Sequence, residues 1–209
     1  MKQRLENSKL IVGIDEAGRG PLAGPVSVAA FCAPAGSRVN LMKILGGKIR
    51  DSKHLSPKRR TAIYRNMWAL RKTGEVNFMV CHVSNKIVDK IRISKAVQVG
   101  INRSLNKLRQ LYDRNNIVHC SVRLDGLLKA PEEYKKQKTI IKGDEKDLFI
   151  AYASIVAKVR RDRLMCRLSK KYPKYKFEIH KGYGTPFHRK LIKKHGFSSL
   201  HRISFCDNV

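Results

Sequence analysis

The chain has 209 residues, of which 45 are Lys or Arg and 16 are Asp or Glu, giving a formal charge of +29, while 42% are hydrophobic. Enough apolar side chains remain for one sizeable core, which excludes global disorder, and the length suits one domain or at most two. So large an excess of positive charge implies a polyanionic partner, with nucleic acid ahead of an anionic membrane surface.

Leu10 to Ile14 predicts a buried strand, followed by a Gly- and Pro-rich turn and a second strand from Val26 to Phe31, close enough in sequence to pair antiparallel. Ser56 before Pro57 is a helix N-cap signal, after which Ile63, Met67 and Leu70 recur at helical spacing until Gly74. A third strand is expected over Val76 to Val83, then a helix over Asn85 to Leu111 with Ala96, Val97, Ile101, Leu105 and Leu108 on one side. Ile117 to Leu124 alternates as a fourth strand, and Thr139 to Ile141 reads as a short fifth. Leu148 to about Tyr172 predicts a long helix stopped by Pro173, and Pro186 to His195 a last short one. Hairpin-connected strands followed by alternating strand and helix make an α/β sheet, in which ligands gather at the carboxyl ends of strands. No repeat, linker or low-complexity tract divides the chain, so residues 1–209 are expected to form one domain, with about 172–209 as a C-terminal extension packed on it.

The longest uncharged stretch, Gly20 to Ser37, is interrupted by Pro21, Gly24, Pro25, Pro34 and Gly36, whereas a spanning helix needs roughly 20 consecutive apolar residues. Leu10 to Ile14 is too short for the apolar region of a secretory signal. A cytoplasmic protein with no membrane partner is expected. The cysteines (Cys32, Cys81, Cys120, Cys166, Cys206) form no C-x-x-C pair, so buried reduced thiols are expected in place of disulfides or a cysteine zinc site. His180 and His188 have no further ligand at zinc spacing.

In a chain this basic, an acid at the end of an apolar strand is informative. Asp15 and Glu16 end the first predicted strand directly before Ala17-Gly18-Arg19-Gly20, Asp125 ends the fourth, and Asp144, within Lys142-Gly143-Asp144, ends the fifth. Clustered carboxylates without cysteine or a spaced histidine pair suit Mg²⁺ or Mn²⁺ better than zinc. Asp before Gly is also an ordinary turn signal. Neighbours on a regular strand face opposite ways, so Asp15 and Glu16 share one site only if the strand kinks at its end. Gly18-Arg19-Gly20 sets a guanidinium between two residues without side chains, so backbone can approach a ligand while the arginine bridges to phosphate.

The segment Gly13-Ile14-Asp15-Glu16-Ala17-Gly18-Arg19-Gly20-Pro21-Leu22-Ala23-Gly24-Pro25-Val26 resembles the opening signature of the ribonuclease HII family of bacterial type. Further segments resemble the family in family order: Asp51-Ser52-Lys53, Leu124-Asp125-Gly126, Lys142-Gly143-Asp144, Ala153-Ser154-Ile155-Val156-Ala157-Lys158 with Arg161-Asp162, His180-Lys181-Gly182-Tyr183-Gly184-Thr185, and His201-Arg202 with Ser204-Phe205. The resemblance runs through almost the whole chain.

It implies a ribonuclease H-like fold, a central mixed β-sheet flanked by helices with a helical C-terminal portion. It implies a metal-dependent endonuclease that hydrolyses the RNA strand of RNA–DNA hybrids. Duplex DNA containing ribonucleotides would be cut 5′ to the ribonucleotide, leaving 5′-phosphate and 3′-hydroxyl ends by a two-metal mechanism with Mg²⁺ or Mn²⁺. Carried over residue by residue, Asp15, Glu16, Asp125 and Asp144 would be the catalytic, metal-holding acids. Gly18, Arg19 and Gly20 would read the 2′-hydroxyl, and Tyr183 would pack on the next deoxyribose. Phosphates would be met by Ser52 and Lys53 and by Ser154, Lys158 and Arg161, which lie at i, i+4 and i+7 on one helix face. The runs Lys135-Lys136, Lys170-Lys171 and Lys193-Lys194 are generic surface charge that adds to long-range attraction.

His54 and Tyr152 depart from the family's usual lysine and alanine, which bears on substrate affinity and packing and not on the acids. Met1 to Leu10 leaves no room for the extra N-terminal domain of the related HIII enzymes, and Phe205 to Val209 offers no clamp-binding pattern. A monomer is expected. The rival from another class is a non-catalytic basic nucleic-acid-binding protein, which the charge alone supports and which does not depend on the four acids.

Overall fold

The computed structural model describes residues 9–37, 41–42, 55–112, 120–126 and 128–207. Ser52, Lys53 and His54, and the start of the predicted fourth strand, lie outside the described residues. The sheet has five strands: β1 (Leu10–Ala17), β2 (Val26–Pro34), β3 (Asn77–Val83), β4 (Ser121–Asp125) and β5 (Gln137–Ile140), in the spatial order β3-β2-β1-β4-β5. β1 pairs antiparallel with β2 and parallel with β4, and β4 is parallel to β5, so the sheet is mixed and β1 is central. The carboxyl ends of β1, β4 and β5 therefore share one edge of the sheet.

Two helical layers sandwich this sheet. Leu10, Val12 and Ile14 of β1 pack with Val122 and Leu124 of β4 against Val97, Ile101 and Leu105 of α2 (Asn85–Arg109). Alternate residues such as Ile11 and Ala17 face the other way, onto α1 (Pro57–Lys72) and the long α4 (Leu148–Lys171). This is the period-2 division of a strand buried on both faces. At Gly13 the first turn of α4 comes so close that a Cβ would sit 2.1 Å from the Phe149 carbonyl carbon, so only glycine permits the contact.

The expected elements are present with shifted ends. β1 runs on through Asp15 and Glu16 to Ala17 instead of stopping at Ile14, because those residues still pair in register with Ala29 and Val28 of β2. α2 ends at Arg109 and is broken at Arg92, where φ is 69° and ψ 160°. A single helical turn, α3 (Gly143–Lys146), precedes α4. Between them, Asp147 caps α4 by accepting from the Phe149 and Ile150 amides, and it is held from β4 by Arg123 Nη1 at 2.6 Å. Beyond α4, α5 (Phe177–His180) and α6 (Pro186–His195) fold back so that His201 bridges to Ala23 in the turn after β1. Thr185 caps α6 with Pro186 in its first turn.

Cys32, Cys81, Cys120 and Cys206 are buried thiols, but Cys166 is exposed, because it lies on the outer face of α4. Among the described residues no helix is long and apolar enough to cross a membrane.

Candidate active site

The four acids lie along one edge of the sheet, presented by different devices. β1 stays regular through Ala17, so Asp15 and Glu16 leave it on opposite faces, yet the Asp125 charge reaches both at the strand's end, so no kink is needed to bring their charges together. Asp15 turns toward α4, where it is 5% exposed and takes a hydrogen bond from Ser154. Glu16 turns toward α2 and shares a cleft of about 490 Å³ with Asp125, Arg19, Ser94 and Gln98. Asp125 ends β4, and its Oδ1 accepts from the Gly143 amide at 2.6 Å, which ties β4 to the turn carrying Asp144. Asp144 is 1% exposed, with Oδ2 4.0 Å from Lys158 Nζ.

Burial, then the nearby Glu16 carboxylate, raises the Asp15 pKa well above the ordinary carboxylate range, and Asp125 adds to the effect. Burial raises Glu16 as well, against the pull of Arg19, whose Nη1 is 3.3 Å from Glu16 Oε1. A divalent cation suits this donor set. All four groups are hard oxygen donors, Glu16 Oε2 is buried with no hydrogen-bond partner, and crowded negative charge is what a cation relieves. They do not form a finished cage: among the described residues no three His, Cys, Asp or Glu side chains converge closely enough to hold a metal ion.

The phosphate stripe expected on α4 is not an exposed face. Ser154 is fully buried and belongs to the acids: Lys158 Nζ donates to its Oγ at 2.8 Å, and Ser154 bonds to Asp15. Arg161 is 1% exposed and spends its guanidinium on the carbonyls of Pro25, Ala23 and Lys181. The reason is steric and electrostatic. Gly18, at φ 88°, lies against Arg161 so closely that a Cβ there would sit 2.0 Å from its Nε, and the buried turn offers the arginine only backbone oxygens.

The Gly18-Arg19-Gly20 loop is held from behind by a residue to which sequence reasoning gave no role. Arg202, fully buried, donates Nη2 to the Gly18 carbonyl at 2.8 Å, Nη1 to the Arg19 carbonyl at 2.9 Å, and Nε to the Gly24 carbonyl at 2.9 Å. Burial, with Arg161 nearby, pushes its pKa down to about 9. Its only sequence signal was membership of the His201-Arg202 segment, since a contact spanning 184 residues leaves no local pattern. Arg19 and Gly20 themselves are exposed. Tyr183 is 47% exposed beside them, its ring centroid 5.6 Å from Arg161 Cζ.

Three histidines that are separate in sequence stack behind Tyr183. The His180 and His188 centroids are 4.0 Å apart, and those of His188 and His201 5.3 Å. Their bonds set one neutral pattern of protons. His201 Nδ1 accepts from the Ser198 amide, so its Nε2–H donates to His188 Nε2 at 3.2 Å, and His188 Nδ1–H donates to the Tyr183 carbonyl at 2.9 Å. His180 Nδ1 accepts from the Gly182 amide and Nε2–H donates to the Tyr175 carbonyl. Burial lowers all three pKa values, His188 to about 4.

Comparison with known proteins agrees with this geometry. The family model described as Ribonuclease HII matches residues 12–208. The ribonuclease HII of Caldicellulosiruptor bescii is 40% identical over 204 residues, 98% of this chain and 90% of that protein; that of Fusobacterium nucleatum is 41% identical over 202 residues, 96% and 87%. Among solved structures, the chain resembles ribonuclease HII in the PCNA complex from Archaeoglobus fulgidus, with TM-score 0.71 and 27% identity over 93% of this chain and 94% of that one. Bst-RNase HIII in complex with Mn²⁺ has the same TM-score of 0.71 at 19% identity, over 99% of this chain and 70% of that one, and shares the fold. With a mixed sheet carrying four acids on one edge and a family match over nearly its whole length, the chain is a ribonuclease H of type HII and belongs to the ribonuclease HII family.

Proposed function

We propose that the protein is an endonuclease that hydrolyses the RNA strand of RNA–DNA hybrids and cuts duplex DNA 5′ to an embedded ribonucleotide, leaving 5′-phosphate and 3′-hydroxyl ends. One juxtaposition carries the reading: Glu16 and Asp125 open into the same cleft as Arg19, next to a loop whose backbone is fixed by Arg202.

Asp15, Glu16, Asp125 and Asp144 would hold Mg²⁺ or Mn²⁺, the latter being the ion bound by the Bst-RNase HIII relative. Bound as a pair, such ions supply a water nucleophile at neutral pH and stabilise charge on the departing 3′ oxygen. The chain's own part is positioning. Lys158 and Ser154 orient Asp15, the Gly143 amide fixes one oxygen of Asp125, and Arg19 fixes one oxygen of Glu16. The exposed Gly20 and the Arg19 backbone can approach a sugar closely enough to sense its 2′-hydroxyl, the atom that separates RNA from DNA at one nucleotide. Tyr183 offers a half-exposed ring on which the following deoxyribose packs, its turn held by His188.

The test is a labelled duplex with a single ribonucleotide, beside an all-DNA control, in Mg²⁺, Mn²⁺ or EDTA. Metal-dependent cutting 5′ to the ribonucleotide, absent from the control, is expected. Cutting only of long hybrids would remove the junction role, and binding without cutting in either metal would make the protein a basic nucleic-acid binder.

A further inference from the structure

The face of α4 turned away from the acids carries a second basic feature. Arg160, Arg163 and Arg167, with Arg60 of α1 and with Lys181, line a groove of about 560 Å³ between α1 and α4, and Asp162 is the only acid among the described residues that line it. Asp162 is accounted for locally by Arg60, 3.9 Å away. Two of its arginines rest against one buried ring. Tyr64, 1% exposed, lies under Arg163, whose Cζ is 4.8 Å from the ring centroid, and its hydroxyl is 3.5 Å from Arg160 Nη1. Two guanidinium groups are thus held in place before any ligand arrives, which reduces the entropy lost on binding. An ordinary solvated basic face would spread its cations on long, mobile stems; here they converge on one concave surface.

The position of the groove indicates what fills it. Its lining starts at Val159, directly after Lys158, the lysine 4.0 Å from Asp144, and it includes Lys181, next but one to Tyr183. From Arg160 to Arg167 α4 rises roughly 10 Å at 1.5 Å per residue, about three base-pair steps along a duplex axis at 3.4 Å each. Guanidinium groups recognise phosphate oxygens in bidentate fashion, and evenly spaced phosphates match a row of them. We propose that this groove holds the phosphodiester backbone of the duplex arm that leaves the cutting site, engaging phosphates alone and no base. The placement of the arm rests on the nuclease reading above; the phosphate binding does not.

The test compares Arg163→Gln/Arg167→Gln, and Arg167→Gln alone, with a charge-matched control, Lys135→Gln/Lys136→Gln, at the opposite end of β5 from the acids. Arg167 is exposed and is not on the Tyr64 platform, so its single variant reports on the groove even if the double variant is less stable. Binding is measured in EDTA to all-DNA and single-ribonucleotide duplexes whose arms extend about 3 or about 12 base pairs from the centre, shortened on one side at a time, over a range of salt. For wild type, one arm adds affinity when lengthened. The groove variants lose that gain, binding the long-armed duplex about 5- to 20-fold more weakly, with the salt slope reduced by about one for each phosphate they no longer engage. Their affinity for the short-armed duplex stays that of wild type. The proposal is overturned if the variants weaken both lengths alike, or if the control reproduces the effect. A wild-type protein that shows the arm dependence but cuts neither duplex in Mg²⁺ or Mn²⁺ removes the nuclease reading and leaves the groove. Specific cutting with no arm dependence removes the groove and leaves the nuclease.

Discussion

The acids and the loop beside them are held by opposite means. The acids are placed by strand register and short local contacts: Asp15 and Glu16 by β1, Asp125 by the end of β4, Asp144 by a turn bonded to Asp125. The Gly18-Arg19-Gly20 loop has no regular structure of its own and takes its shape from two buried arginines, Arg161 and Arg202, brought from the far half of the chain. The acids concentrate negative charge that costs stability, and the loop concentrates carbonyl oxygens that cations satisfy. Function and stability are therefore opposed at the first region and aligned at the second, and substitutions separate the two cases.

The largest effect is expected at Asp15. Asp15→Asn should reduce turnover roughly a thousandfold or more while leaving duplex binding near wild type. A carboxyl whose folded pKa is raised contributes stability at low pH that is lost as pH rises through that pKa, so the neutral amide should raise Tm at neutral pH. Unchanged turnover, or a lower Tm, would break the first half of the comparison.

Arg202→Ala should move both quantities together. Leaving buried carbonyls of Gly18, Arg19 and Gly24 without donors costs about 3 kcal/mol or more, read as a lower denaturation midpoint, and activity on ribonucleotide-containing duplex should fall with it. Arg202→Lys, a single point donor, should recover only part of either.

Arg19→Ala should cost less, about tenfold in kcat/KM, and should narrow the preference for ribonucleotide over all-DNA duplex. It also removes the group that lowers the Glu16 pKa, so the acid limb of the pH–rate profile should move to higher pH.

The smallest effect is thermal. His188 has its folded pKa near 4, and His180 and His201 are also lowered, so the unfolded chain binds more protons and stability falls as pH drops below about 6.5. The histidines should lower Tm between about pH 7 and pH 5, against the gain from the raised carboxyl of Asp15, and the Gly182 amide, which donates to His180 Nδ1, should lose hydrogen-exchange protection first.

The same division explains what could be read from the sequence. Strands, one helix cap and the edge positions of the acids were legible because alternation, Ser56-Pro57 and a scarcity of acids are local signals. The extension of β1 through Ala17 was not, because Asp15 and Glu16 are held in the strand by partners on β2, against their own poor strand propensity. Arg161 and Ser154 look like a surface stripe in the sequence because i, i+4, i+7 spacing shows which residues share a helix face and not whether that face is covered. Arg202 and the stacked histidines arise from folding the last third of the chain onto the first, which no spacing encodes.

The bonds from Arg202 to the carbonyls of Arg19 and Gly18 close loops of 183 and 184 residues. Contacts so distant along the chain bear the full entropy of ring closure and are made after local structure. Because N-terminal segments are synthesised first, the central strand can emerge and begin pairing long before the residue that shapes its neighbouring loop exists. The order of assembly is then sheet first, the Gly18-Arg19-Gly20 loop last. In pulse-labelled exchange during refolding, the β1 amides should become protected before the Gly24 amide, which waits for the Leu200 carbonyl. A newly made chain would thus carry its β1 acids in place before the loop proposed to sense the sugar has taken its shape.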